Sequence, residues 1–266
     1  MRLSEAIEAL KAAGIENARG EARMIFEELC HIDRVTLSTS DPESELADEA
    51  VKRRTLREPL QYIIKKAYFF REEYCVTPDC LIPRSDTEIL VEYAVSHLSS
   101  GARFIDLCTG SGCIAISTLK NTKNTSAVAV DLSEKALEIA KKNSEDNGVS
   151  KRIDLVCSDA LTYDSGEMFD ALLSNPPYIR DEVYKTLENE IFYEPKMALV
   201  AENDGLLFYE ILVPLYKNRI KSGGFMAFEI GYDQAQALSE IAKKNGLPIK
   251  ILKDYSGLDR VAVINV

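Results

Sequence analysis

Arg103-Phe104-Ile105-Asp106-Leu107-Cys108 has the length and apolar content of a buried strand, and Thr109-Gly110-Ser111-Gly112 follows it at once. Cys113-Ile114-Ala115-Ile116-Ser117-Thr118-Leu119 then reads as a helix. A strand, a glycine loop and a helix in that order open a mononucleotide-binding unit of a parallel α/β sheet. Gly110 and Gly112 let the backbone turn tightly and approach a ligand, and Ala115 stands where a dinucleotide pattern has its third glycine. Such a loop alone is compatible with a dinucleotide, with another nucleoside, or with a mere change of chain direction.

The residues downstream narrow the choice. Ser126 to Asp131 is a second apolar strand ending in an acid. Asp131 lies 21 residues after Gly110, the spacing of a carboxylate that grips ribose hydroxyls. Ser133 to Gly148 carries helix signals, and a third strand, Arg152 to Cys157, leads into Ser158-Asp159. Asp159 is placed to accept from an adenine amino group. Taken singly, Asp131 and Asp159 could each merely cap a turn. No Gly-x-x-x-x-Gly-Lys-Ser/Thr run exists, so a P-loop is unsupported. Cys113 and Ile114 follow the loop in place of a phosphate-gripping lysine, which favours a nucleoside cofactor without a pyrophosphate. S-adenosylmethionine fits, and Asp106 suits its cationic sulfonium.

A fourth apolar run, Phe169 to Ser174, ends in Asn175-Pro176-Pro177-Tyr178. The position just past a strand's carboxyl end is where open α/β sheets hold ligands. The Asn175 side-chain oxygen and a backbone carbonyl, that of Pro176, can accept the two N–H bonds of a planar NH2 group. Tyr178 is expected to stack on its flat face, and the prolines set φ beforehand. By themselves these four residues could also be a proline-rich turn.

With these segments in hand, the chain resembles the glutamine-N5 methyltransferases of peptide-chain release factors, the HemK-like family, over nearly its whole length. Asp106 to Gly112 is similar to the family's cofactor loop. Asn175 to Tyr178 matches its substrate motif, which is shared with amino-methylating DNA enzymes. Pro59-Leu60-Gln61-Tyr62-Ile63, Leu81-Ile82-Pro83-Arg84-Ser85-Asp86-Thr87-Glu88, Glu194-Pro195 with Ala198-Leu199, and Asp204-Gly205-Leu206 resemble segments particular to it. Three places depart from the pattern: Lys65-Lys66, Ser85, and Val200-Ala201-Glu202.

The resemblance implies methyl transfer from S-adenosylmethionine, yielding S-adenosylhomocysteine, to the glutamine of a release factor's Gly-Gly-Gln loop. It implies cofactor contacts at Asp106, Cys108, Thr109, Gly110, Ser111, Gly112, Asp131, Leu132, Asp159, Ala160 and Asn175. Catalysis then rests on Asn175, Pro176 and Tyr178, and the substrate also meets Pro177, Arg84 and Glu194. An adenine-N6 methyltransferase acting on DNA or RNA is the alternative, because adenine also offers a flat NH2. A catalytically silent adaptor is a third reading, opposed by the intact Gly110, Gly112, Asp131 and Asn175.

Composition bounds these readings. The chain has 266 residues, 46% of them hydrophobic, enough for a large domain and a small one. No apolar run approaches the ~20 residues of a membrane span, and Arg2, Glu5 and Glu8 interrupt any signal-peptide core. The expectation is a cytoplasmic monomer. Six cysteines form no Cys-x-x-Cys and read as reduced core residues, with no metal site. His31 and His97 lie in no motif, so a histidine-based dyad is unsupported. A net charge of −11 opposes long-range attraction to duplex DNA, and no direct nucleic-acid binding is expected. Lys52, Arg53, Arg54, Arg57, Lys65, Lys66 and Arg71 stand against Glu58 alone and read as a solvated basic face, with an acidic docking patch as the other option.

The predicted architecture is a doubly wound, seven-stranded Rossmann-like methyltransferase sheet with a small N-terminal helical domain and a hairpin linker. Its boundaries are 1–73 for substrate recognition, 74–86 for the linker and 87–266 for the catalytic domain. Ser4 reads as an N-cap, and Asp41-Pro42 as a cap and first turn. Pro214 falls inside a helix spanning Gly205 to Arg219. Strands at Phe225–Ile230, Ile249–Leu252 and Val261–Val266 complete the alternation. The resemblance implies that the last runs antiparallel.

Overall fold

Helical periodicity governs the first part of the chain. In the computed structural model, which describes residues 1–266, five helices follow one another: α1 (Leu3–Ala12), α2 (Ala18–Glu28), α3 (Arg34–Thr39), α4 (Leu46–Thr55) and α5 (Leu60–Ile64). With residues 188–193 they form one compact unit, Met1–Lys66 plus Glu188–Tyr193. Leu3, Ala6 and Leu10 of α1 meet Ala22, Ile25 and Phe26 of α2 in its core. The caps differ from the sequence expectation. Ser4 lies inside the first turn of α1, where its N–H and hydroxyl each donate to the Asp41 carboxylate at 2.7 Å. Asp41 thus serves α1 from a distance, and no helix starts at Pro42.

The basic stretch is a solvated face only in part: Lys52, Lys65 and Arg71 are exposed, but four of its cations are paired. Arg54 is buried and donates to Glu21 (2.5 Å) and Glu190 (3.2 Å), Arg57 to Glu190 (3.2 Å) and the Ala13 carbonyl (3.0 Å), Arg53 to Glu58 (2.8 Å), and Lys66 to Glu28 (2.6 Å). These cations clamp the unit's own acids, including one on the 188–193 excursion.

The second unit is Ala67–Leu187 with Glu194–Val266, so the expected boundary at residue 73 falls inside it. A hairpin, β1 (Lys66–Phe69) and β2 (Glu72–Cys75), precedes α6 (Glu88–His97). Then β3 (Arg103–Leu107), α7 (Cys113–Asn121), β4 (Ser126–Asp131), α8 (Glu134–Asp146), β5 (Ile153–Cys157), β6 (Phe169–Ser174) and the short α9 (Asp181–Tyr184) follow. The chain closes with α10 (Leu207–Tyr216), β7 (Ile220–Glu229), α11 (Ala235–Lys244), β8 (Ile249–Lys253) and β9 (Asp259–Asn265). Pro214 lies within α10.

The seven-stranded sheet runs β5-β4-β3-β6-β7-β9-β8, with β9 antiparallel to both neighbours. Continuous apolar strands such as Ala127–Val130 are buried on both faces, as parallel strands covered by helices must be. Leu90, Ile116 and Leu119 pack on one face, and Leu212, Val213 and Leu238 on the other. Strand order reverses between β3 and β6, which opens a crevice at their carboxyl ends. There the register pairs Leu107 with Val130 and Ser174, and Ser174 with Phe228. Cys108, Asp131, Asn175 and Glu229 therefore emerge side by side.

Cysteine placement meets the expectation of core residues only in part: Cys80 and Cys113 are buried, Cys30, Cys75 and Cys108 half-buried, and Cys157 is exposed at the end of an outer strand. No helix is long and apolar enough to cross a membrane.

Candidate active site

The glycine loop is built from below. The Asp106 carboxylate Oδ2 accepts from the Thr109 hydroxyl (2.6 Å) and the Ala115 N–H (3.2 Å), stapling the loop to the first turn of α7. Asp106 is fully buried, its Oδ1 has no partner, and burial pushes its pKa up to about 7. Asp106 lies under the loop and does not itself line the neighbouring cavity. Cys108 takes a left-handed φ of 59°, which lets the chain leave β3 sharply.

The two glycines have different jobs. A Cβ on Gly110 would meet nothing within 4 Å, and Gly110 faces the cavity. A Cβ on Gly112 would lie 2.9 Å from Ile116 Cδ1 and 3.2 Å from the Ala140 Cβ, so Gly112 permits α7 and α8 to pack.

Asp131 closes the loop's other side. Its Oδ2 accepts from the Gly110 N–H (2.8 Å) and its Oδ1 from the Ser133 N–H (2.9 Å). Burial raises its pKa against those two bonds, which lower it. Each oxygen retains lone-pair capacity for a hydroxyl. A cavity of about 260 Å3 lies above, walled by Cys108, Gly110, Asp131, Leu132, Asp159, Ala160, Asn175 and Pro177 among others. Asp159 Oδ1 accepts from the Leu161 N–H at 2.9 Å. Open space over Gly110, a carboxylate of spare capacity at Asp131 and the apolar Leu132 and Ala160 fit a nucleoside with ribose hydroxyls and a flat base. A recess of about 30 Å3 adjoins it, sharing Leu81, Cys108, Gly110 and Asn175 and reaching Arg84, Thr87, Thr109 and Ser111.

The acceptor side is built by side chains from distant segments. Asn175 Nδ2 donates to Thr87 Oγ1 at 3.3 Å, and the Thr87 hydroxyl sits 2.5 Å from Glu229 Oε2, to which it donates. The Tyr178 hydroxyl donates to Glu229 Oε1 at 3.1 Å. Burial raises the Glu229 pKa, opposed by those two bonds and by the Arg260 charge. Burial likewise raises the Tyr178 phenol. The hydroxyl end of Tyr178 is therefore anchored to Glu229, and its half-buried ring lies beside the residues that wall the cavity, next in sequence to Pro177.

Its backbone is pinned as well. The Tyr178 and Ile179 N–H groups donate to the Leu199 carbonyl (3.2 and 2.9 Å), and Gln234 Nε2 donates to the Tyr178 carbonyl (3.1 Å). Gly205, at φ 80°, passes so close that a Cβ would lie 2.1 Å from that carbonyl oxygen.

Arg84 and Glu194 do not line the main cavity. Buried Glu194 accepts from Arg84 and from the Ile82 N–H (3.0 Å), locking the segment before α6 to the segment carrying Pro195, Met197 and Val200 of the cavity wall. Pro176 is buried between Asn175 and Pro177, both of which line the cavity. Sequence reasoning missed Thr87, Glu229 and Gln234. Glu229 carried a signal, being an acid at the end of an apolar strand, as Asp131 is.

Residues 2–64 match the PrmC N-terminal domain family, and 85–209 the Methyltransferase small domain family. A release factor glutamine methyltransferase of Thermodesulfovibrio yellowstonii is 38% identical, over 92% of this chain and 91% of that protein. One from Clostridium acetobutylicum is 34% identical, over 98% and 96%. The solved catalytic domain of human Mettl16, bound to an RNA hairpin, shares the fold alone, with a TM-score of 0.59 and 17% identity over 90% of this chain and 88% of that one. On this evidence the chain belongs to the release factor glutamine methyltransferase family.

Proposed function

We propose that this enzyme transfers a methyl group from S-adenosylmethionine to the side-chain amide nitrogen of the glutamine in a release factor's Gly-Gly-Gln loop. One observation carries the reading: the Asn175 amide beside the cavity has its NH2 engaged by Thr87, so its oxygen is the end left for an incoming donor. Gly110, Asp131 and Asp159 would hold S-adenosylmethionine, which would supply a methyl group on a positively charged sulfur.

An amide nitrogen is a poor nucleophile because its lone pair is delocalised into the carbonyl. Asn175 Oδ1 and the Pro176 carbonyl accept its two N–H bonds and aim the remaining density at the methyl carbon. The N–C bond would form as the S–CH3 bond breaks and the neutral thioether departs, and the amide would then lose one proton to solvent, so no strong base is required first. Holding the nitrogen in line supplies several kcal/mol of the barrier reduction. Two glycines before the target let a narrow loop enter the cavity. Pro195, Met197 and Val200 shape its entrance, held by the Arg84–Glu194 pair.

The test is mass spectrometry of a purified release factor incubated with this protein and labelled cofactor, with an adenine-containing oligonucleotide in parallel. A gain of one CH2 on the loop glutamine is the expected result. Label on the oligonucleotide alone overturns the reading.

A further inference from the structure

We infer that Thr87 and Glu229 are positioning residues for methyl transfer, acting as a pair that fixes which end of the Asn175 amide faces the acceptor. The inference rests on the glutamine reading above and adds the source of its selectivity for an NH2 donor.

A primary amide has an accepting end and a donating end of nearly equal size. An Asn175 turned over would present its own NH2 to the incoming NH2, and two donors cannot bond. Something must choose the orientation. Thr87 has a single hydroxyl proton, and at 2.5 Å that proton is committed to the Glu229 carboxylate. Thr87 Oγ1 can then only accept, and it accepts from Asn175 Nδ2. The oxygen of Asn175 is left for the cavity by elimination. Thr87 and Glu229 are each 2% exposed, so the bond between them is shielded from water.

The same carboxylate takes the Tyr178 hydroxyl on its other oxygen. One buried acid therefore sets both Asn175 and Tyr178, the first and last residues of the motif. Arg260 faces that acid from β9 and is itself held by Asp254 (3.0 Å) and Asp86 (3.3 Å). The chain brings the partners from three places, since Thr87 and Asn175 are 88 residues apart and Thr87 and Glu229 142.

Four variants test this: Thr87→Val, Thr87→Ser, Asn175→Ala, and Thr87→Val with Asn175→Ala. Thr87→Val keeps the shape and removes the hydroxyl. Its turnover of a release factor is expected to fall about ten- to a hundredfold, with cofactor affinity by calorimetry unchanged. Thr87→Ser keeps the hydroxyl and restores the rate. The double variant is expected to be no slower than Asn175→Ala, because Thr87 has nothing left to orient. A parental rate in Thr87→Val, or penalties that multiply in the double variant, overturns the proposal.

Nuclear magnetic resonance decides the orientation without any substrate. In protein labelled with 15N-asparagine, the Asn175 NH2 signal, assigned by its loss in Asn175→Ala, is expected to show a nuclear Overhauser contact to the Thr87 methyl. Absence of that contact in the parental protein overturns the proposal even if Thr87→Val fails to fold. A parental protein that leaves glutamine unmethylated sinks the functional reading instead, and the resonance contact still decides whether Thr87 orients the amide.

Discussion

The cofactor side and the acceptor side of one crevice are made in different ways. The cofactor side is a short-range construction. Asp106, Thr109 and Ala115 lie within one strand–loop–helix unit, and Asp131 reaches the loop from the adjacent strand. Backbone N–H groups do most of the bonding. The acceptor side places no such reliance on a local loop. Asn175 is oriented by Thr87, Thr87 by Glu229, and the Tyr178 carbonyl by Gln234, with Gly205 making room. A nucleoside is held by a unit that many sheets can supply, whereas choosing an amide nitrogen requires side chains gathered from across the chain.

That difference can be broken most forcefully at Gly205. Gly205→Ala puts a methyl 2.1 Å from the Tyr178 carbonyl at a left-handed φ of 80°. Overpacking and backbone strain together are expected to cost on the order of 2–4 kcal/mol of stability. Thermal melts read the cost directly. A melting temperature equal to the parent's would show that the segment behind Tyr178 yields easily and does not hold the motif.

Asn175→Ala separates the two sides by function. Loss of one acceptor for the incoming NH2 costs about 1–3 kcal/mol in the transition state. The rate should fall roughly ten- to a hundredfold, with a much smaller change in cofactor affinity. Asp131→Asn is the converse. Removing the charge and one of two acceptors weakens cofactor binding by roughly tenfold by calorimetry, since bonds to charged groups exceed neutral ones by about 1 kcal/mol. At saturating cofactor its turnover should stay near parental. If Asp131→Asn lowers turnover while leaving affinity intact, the division between the sides is wrong.

The same contrast explains what the sequence disclosed. Continuous apolar runs mark the strands, and the glycine loop and Asp131 sit at spacings set by one mononucleotide unit, so the sheet and its cofactor edge were readable. Asn175 was readable because prolines isolate it after a strand. Thr87 and Gln234 were not, because a buried threonine and a buried glutamine acquire meaning only from partners far along the chain. Asp41 misled for a related reason: Asp-Pro is a local helix-start signal, yet its carboxylate was claimed by Ser4 on another helix. The short Arg-rich stretch misled likewise, since its acids lie as far off as Glu21 and Glu190.

The remaining test concerns Asp106, the staple under the cofactor loop. Its carboxyl is raised to about 7 by burial, with an unpaired Oδ1. In the unfolded chain it titrates in the ordinary aspartate range, so between about 4 and about 7 the native state holds a proton that the unfolded state has released. The unfolded state then binds fewer protons, and stability falls as pH rises through that window. Below it both states are protonated and Asp106 costs nothing. Asp106→Asn has no such titration, so the melting temperature of the parent minus that of the variant should decline steadily from pH 4 to pH 7. Taking the difference removes the contribution of Glu229, which is raised in both proteins. A difference that stays flat or climbs with pH would mean that the loop's dipoles stabilise the Asp106 anion enough to offset its burial. The loop would then owe part of its order to a second carboxylate charge beside that of Asp131.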